Sequence, residues 1–185
     1  MRFSRKKPWV TKVDTLNGGF EIWVALLLLE FFMSRRLNVL VAEDDGNDRM
    51  LMKRAFSMAN VAATFLFVVD GDETVAYLRG ADQFSDRTRF PFPDLLLLDI
   101  QMPKRDGFEV LEWARGEGGC KTLPVIVFSS SHRNEDVHRA LSLGANSYLE
   151  KTVSSSGYVA MARSLNSYWV RHNKFPGCQS PDQPC

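Results

Sequence analysis

At 185 residues, the chain has room for one ordinary domain with extensions or for two very small domains. Its 45% hydrophobic and 24% charged residues exclude wholesale disorder, a collagen-like fibre and a multi-span membrane protein. The net charge of +1 provides no global basic field for nucleic acid, but it is unevenly spread: residues 1–36 hold 7 Lys/Arg against 3 Asp/Glu, leaving 16 against 19 for residues 37–185.

The basic leader carries an apolar stretch from Phe20 to Met33, interrupted by Glu21 and Glu30. A helix needs about 20 mostly apolar residues to span a bilayer, so this stretch is too short, and membrane association is not expected. The leader also fails as a secretory signal, because Glu30 follows the apolar run and no small-x-small cleavage site precedes Arg35. Met33-Ser34-Arg35-Arg36 reads like an ordinary start just before a strand. Residues 1–36 are therefore either a genuine basic and apolar extension or an upstream extension of the true start. Cys120, Cys178 and Cys185 form no C-x-x-C pair and no disulfide framework, which suits a reducing cytoplasm.

From Leu37 onward, strand and helix alternate. Leu37–Ala42 is an apolar run ending in Glu43-Asp44-Asp45, and Met52, Ala55, Phe56 and Ala59 then repeat at helical spacing. Thr64–Val69 reads as a strand, and Asp70-Gly71-Asp72 opens a helix carrying Val75 and Leu78. The apolar run Leu95–Leu98 ends at Asp99, followed by a helix from about Phe108 to Arg115. Val125–Phe128 ends at Ser129, and the next helix carries a stripe of Val137, Ala140 and Leu141, with Gly144 as its stop. Ser147–Glu150 ends at Lys151, and Tyr158, Met161, Ala162, Leu165 and Trp169 line a last helix. Pro, Gly, Gln and Ser mark a loose tail at the end of the chain, so the predicted organisation is extension 1–36, folded domain 37–172 and tail 173–185. Five strands alternating with five helices predict an α/β, doubly wound, five-stranded parallel sheet.

Ligands of such sheets sit at the carboxyl ends of the strands. There the topology would gather Glu43, Asp44, Asp99, Ser129 and Lys151. Taken singly, each has an ordinary explanation as a cap, a loop hydroxyl or a solvated charge. Together they suit phosphoryl chemistry: carboxylates to hold Mg²⁺, one carboxylate as nucleophile, and an ammonium to neutralise phosphoryl oxygens. His132, His138 and His172 lack metal-ligand spacing. Gly116, Gly118 and Gly119 lack the Lys-Ser/Thr of a P-loop.

The stretches LNVLVAEDD (37–45), DLLLLDIQMPKRDGFEVL (94–111), LPVIVFSSS (123–131) and GANSYLEK (144–151) resemble the receiver domain of two-component response regulators, with a flavodoxin-like (βα)5 fold. The resemblance implies that Asp99 accepts a phosphoryl group from a histidine kinase or phosphotransfer protein. It implies that Glu43, Asp44, Asp99 and the Gln101 backbone carbonyl hold Mg²⁺. It casts Lys151 as the phosphoryl-pairing lysine, Ser129 as the hydroxyl switch and Tyr148 as the aromatic switch. The segment 79–94 and Tyr168-Trp169 resemble single-domain receivers associated with phytochrome kinases.

The sequence departs from the family pattern in two places. Lys151 is followed by Thr152 rather than Pro, so a trans peptide is expected here, and Glu43 replaces the commoner first Asp. Only 34 residues follow Lys151, too few for a DNA-binding output domain. The expected function is a stand-alone phosphorelay switch, not a conventional enzyme. It would signal by protein binding through the last two helices and the fifth strand, a face that could also support a homodimer. The alternative is a degenerate receiver that binds partners without phosphate. A phosphatase of the haloacid dehalogenase type is rejected, because Gln101 stands where its acid/base would be.

Overall fold

The computed structural model describes residues 36–173 and Phe175. The expected extension, with its apolar stretch, and nearly all of the expected tail lie outside the described residues. Five strands, β1 (Leu37–Ala42), β2 (Ala63–Val68), β3 (Leu95–Leu98), β4 (Val125–Ser129) and β5 (Ser147–Glu150), form one parallel sheet in the order β2-β1-β3-β4-β5. Between and after them run α1 (Gly46–Met58), α2 (Gly71–Arg79), α3 (Gly107–Arg115), α4 (Asn134–Ser142) and α5 (Ser155–Leu165). A π-helical segment, Asn166–His172, continues α5. The predicted doubly wound α/β fold is the one observed.

The sheet divides the core into two layers because successive strand residues face opposite sides. Val39, Val41, Leu95, Leu97, Ile126 and Phe128 pack on Met52, Ala55 and Phe56 of α1 and on Tyr158, Ala162 and Leu165 of α5. Leu40, Ala42, Leu96, Leu98, Val125 and Val127 meet α2, α3 and α4 on the other face. The central strands β1, β3 and β4 therefore carry the apolar runs Val39–Ala42, Leu95–Leu98 and Val125–Phe128. The edge strands β2 and β5 are only partly covered.

Four of the five helices begin at side-chain caps, α4 being the exception. Asp45 accepts from Asn47 and Asp48 N–H, Asp70 from Glu73 N–H, and Ser154 from Gly157 N–H. Asp106 and Glu109 form a reciprocal capping box at α3. Gly107 must be glycine, since a Cβ there would lie 2.2 Å from the Asp99 carbonyl oxygen. This close approach seats α3 against the end of β3.

The structure departs from the predicted patterns at two points. Of the stripe expected on α4, Ala140 is buried and Val137 half-buried, while Leu141 is 47% exposed. The helix covers only the margin of the sheet, and Arg139 rather than Leu141 lies on α3, 4.1 Å above the Phe108 ring. The strand expected over Thr64–Val69 runs from Ala63 to Val68, because Val69 turns outward, 43% exposed, to give its N–H to Glu73. Among the described residues no helix is long and apolar enough to cross a membrane.

Candidate functional site

The ends of the strands are fastened by backbone hydrogen bonds that fix where each candidate side chain starts. Glu43 N–H donates to the Val68 carbonyl (3.1 Å), Asp99 N–H to Ala42 (3.0 Å), and Lys151 N–H to Ser129 (2.8 Å). Glu43, Asp99 and Ser129 are thereby carried at the sheet's carboxyl edge, each less than 5% exposed. Asp44 and Gln101 lie outside them and are exposed.

Lys151 reaches across from the end of β5. Its ammonium is 2.6 Å from Asp99 Oδ2, 2.7 Å from Glu43 Oε2 and 2.9 Å from Asp48 Oδ2. The other Asp99 oxygen accepts the Gln101 N–H at 3.2 Å. Both oxygens of Asp99 are thus held. Burial opposes the charge on Lys151, but its hydrogen bonds to Asp99 and Glu43 outweigh that and raise the ammonium above its ordinary value. Burial pushes the Glu43 carboxyl up to about 7 against the pull of Lys151.

Glu43, Asp44 and Asp99 each offer an oxygen, and these atoms all lie within 4.8 Å of one another. Three carboxylates, Glu43, Asp48 and Asp99, meet one ammonium with Asp44 beside them, and the nearby Arg49 guanidinium is directed at the Glu43 and Asp44 carbonyls (2.8 and 2.6 Å). This excess of hard, negative oxygens fits a divalent cation of the Mg²⁺ class, which prefers a few carboxylates and completes its shell with water or phosphate oxygens.

Ser129 is fully buried, and Ser130 is exposed and donates to Gln101 Oε1 at 3.0 Å. Tyr148 is half-buried, with its hydroxyl donating to the Ser131 carbonyl at 2.9 Å. Burial raises its phenol pKa, opposed by hydrogen bonding to Ser131 and Ser129. Among the described residues no peptide bond is cis, so Lys151–Thr152 is trans as expected. The Thr152 hydroxyl donates to the Ser154 carbonyl (3.0 Å).

Two features escaped the reading of the sequence. Asp48 lies in the first turn of α1, three residues after the Asp45 cap, and nothing in the sequence distinguished it from an ordinary first-turn acid. The other is a clamp on the β3–α3 loop. Lys104, at a left-handed φ of 64°, pairs with buried Asp70 at 2.6 Å, while Arg105 reaches Asp72 at 3.3 Å. The clamp ties the loop carrying Gln101 to the start of α2.

Comparison with known proteins bears on this arrangement. A family model, the response regulator receiver domain, matches residues 39–163. Response regulator Rcp1 of Synechocystis sp. is 28% identical over 138 residues, covering 75% of this chain and 92% of Rcp1. The Mn(2+)-bound form of Rcp1 aligns with a TM-score of 0.68 over 76% of this chain and 99% of that one. The phosphorylated cyanobacterial phytochrome response regulator RcpA is 29% identical with a TM-score of 0.70, covering 77% of this chain and 99% of that one. Response regulator RPA3017, in red light signalling of R. palustris, is 36% identical with a TM-score of 0.72, covering 76% and 98%. A match across this much of the sequence, on a (βα)5 sheet with an acidic carboxyl edge, makes the chain a member of the response regulator receiver domain family.

Proposed function

We propose that this protein is a phosphorylation-controlled switch in which Asp99 takes a phosphoryl group from a phosphohistidine of a histidine kinase or phosphotransfer protein. An Asp99 carboxylate oxygen attacks phosphorus, an O–P bond forms, and the P–N bond of the donor breaks with its electron pair passing to the imidazole. Hydrolysis reverses the state: water adds at phosphorus, the bond to Asp99 breaks, and inorganic phosphate leaves. The observation that carries this reading is the nearly buried Asp99 carboxylate, 2.6 Å from the Lys151 ammonium and clustered with Glu43 and Asp44.

Lys151 supplies positive charge where phosphoryl oxygens would arrive. Glu43, Asp44, Asp99 and the Gln101 carbonyl are the groups that would hold Mg²⁺, which when bound neutralises phosphoryl charge. Ser129 donates its hydroxyl to the phosphoryl group, and Tyr148 follows the movement of that loop from its contact with Ser131. Phosphorylation adds negative charge and acceptor oxygens at this edge and biases the domain between two states. The output is protein binding through α4, β5 and α5, where Leu141 of α4 and Tyr168 of the π-helical continuation of α5 are exposed. Similarity to RcpA and RPA3017 supports a phytochrome-type kinase as the donor.

The test is Mg²⁺-dependent phosphorylation by acetyl phosphate, followed on a phosphate-affinity gel with Asp99→Asn beside the parent. A retarded band that requires Mg²⁺ and disappears in the variant is expected. If neither acetyl phosphate nor fluoroberyllate engages Asp99, the domain is a phosphate-independent binding module instead.

A further inference from the structure

Lys151 must be held in place by something other than a following proline, since Thr152 succeeds it through a trans bond. Two of its three carboxylate partners, Glu43 and Asp99, belong to the site already described. The third, Asp48, comes from α1, and its two oxygens do different things. Oδ2 lies 2.9 Å from the Lys151 ammonium, while Oδ1 accepts the Tyr158 hydroxyl at 2.8 Å.

Tyr158 is a rigid anchor for that carboxylate. It is 2% exposed on α5, and its ring meets Phe128 edge to face at 5.7 Å. Phe128 immediately precedes Ser129 and lies 6.0 Å beneath the Lys151 ammonium. Burial, reinforced by the Asp48 carboxylate, keeps the phenol protonated well above its ordinary range, so it remains a donor to Asp48. Lys151, Asp48, Tyr158 and Phe128 thus form a continuous line from the phosphoryl edge to the α1–α5 layer.

We propose that Asp48, aligned by Tyr158, is a positioning residue for Lys151. It gives the ammonium a third carboxylate partner, on a helix separate from the strands that carry Glu43 and Asp99. The inference rests on the reading of Lys151 as the group that pairs with the transferred phosphoryl. When phosphorylation turns the Asp99 carboxylate into an acyl phosphate and moves the negative charge out to the phosphoryl oxygens, Asp48 remains as a fixed partner about which the ammonium swings toward them.

The full chain is phosphorylated with acetyl phosphate and Mg²⁺, and rates are compared for the parent, Asp48→Ala, Asp48→Asn and Tyr158→Phe. Asp48→Ala and Asp48→Asn are expected to slow phosphorylation roughly tenfold, with Tyr158→Phe less affected. In a Lys151→Ala background, Asp48→Ala is expected to change the rate by no more than about twofold, because its effect acts through the missing ammonium. Equal losses in both backgrounds, or a lower melting temperature at the parent's rate, would overturn the proposal and leave Asp48 a staple between two helices. Should Asp48→Ala fail to fold, Asp48→Asn, which retains an acceptor for Tyr158, carries the comparison. The ¹⁵N signal of the Lys151 ammonium supplies a readout that needs no phosphorylation. It should be protected from exchange in the parent and lost in the Asp48 variants, and its persistence in them overturns the proposal even if Asp99 is never phosphorylated.

Discussion

The two ends of the sheet treat polar groups in opposite ways. At the amino edge, polar side chains hold backbone amides and carbonyls. Arg115 donates to the Cys120 carbonyl at 2.6 Å and to the Gly144 carbonyl at 2.8 Å, Asn146 accepts the Val125 N–H, and Asp94 accepts the Asn38 N–H. At the carboxyl edge, Glu43, Asp48 and Asp99 crowd around the single ammonium of Lys151, with Asp44 beside them. Polar groups paired with the backbone hold the loops in place; the crowded carboxylates share one ammonium, burial pushes the Glu43 carboxyl up to about 7, and the oxygens left over suit a divalent cation.

That contrast can be broken from either end. The largest effect is expected at the amino edge. Arg115→Ala leaves the Gly144 and Cys120 carbonyls without their donor and should cost about 3 kcal/mol in urea unfolding, with divalent-ion binding unchanged. At the carboxyl edge, Mg²⁺ should stabilise the parent by about 2.7 kcal/mol once its free concentration is 100 times the dissociation constant, a gain that a chelator removes in a thermal melt. Asp44→Asn should weaken Mg²⁺ roughly tenfold by calorimetry, equivalent to about 1.4 kcal/mol. The same variant should melt no lower than the parent in chelator, since it removes one of the crowded charges; a marked loss of stability there would mean the surplus charge is structural.

The smallest effect concerns the clamp on the β3–α3 loop. Burial opposes the charge on Asp70, but the Lys104 ammonium and the Glu73 N–H more than compensate and hold its carboxyl below the usual range. A carboxyl depressed in the folded state stabilises the fold above its unfolded value and loses that contribution as pH falls through the folded one. Asp70→Asn keeps a capping oxygen but loses the ion pair with a largely exposed lysine, so about 1 kcal/mol is expected at neutral pH. The difference from the parent should shrink in a urea series run toward pH 3. A difference independent of pH would assign the whole effect to the cap.

Much of this architecture was legible before any coordinates. The apolar runs at Val39–Ala42, Leu95–Leu98 and Val125–Phe128, the opening of α2 at Asp70, and the left-handed stop at Gly144 all act through local chemistry. Backbone sterics, capping hydrogen bonds and the alternation of side chains depend on neighbours a few residues away. So Glu43, Asp44, Asp99, Ser129 and Lys151 could each be assigned to the end of a strand, and the strand ends to one edge. Leu141 shows where this stops: its spacing suits a buried stripe, but whether a helix face meets the sheet depends on how far the sheet extends beneath it.

The partners of each charge were beyond the sequence. Lys151 and Glu43 are 108 residues apart, and Tyr158 and Asp48 are 110 apart. They meet because the order β2-β1-β3-β4-β5 sets β1 beside β3 and packs α1 and α5 on the same face. Composition and periodicity determined the strands, the helices and the chemical inventory of one edge, because those are short-range properties. Which carboxylate touches the ammonium, which loop is clamped and which oxygen of Asp48 faces Lys151 were decided only by the tertiary structure, because Coulomb and hydrogen-bond energies depend on ångström distances between segments far apart in the chain.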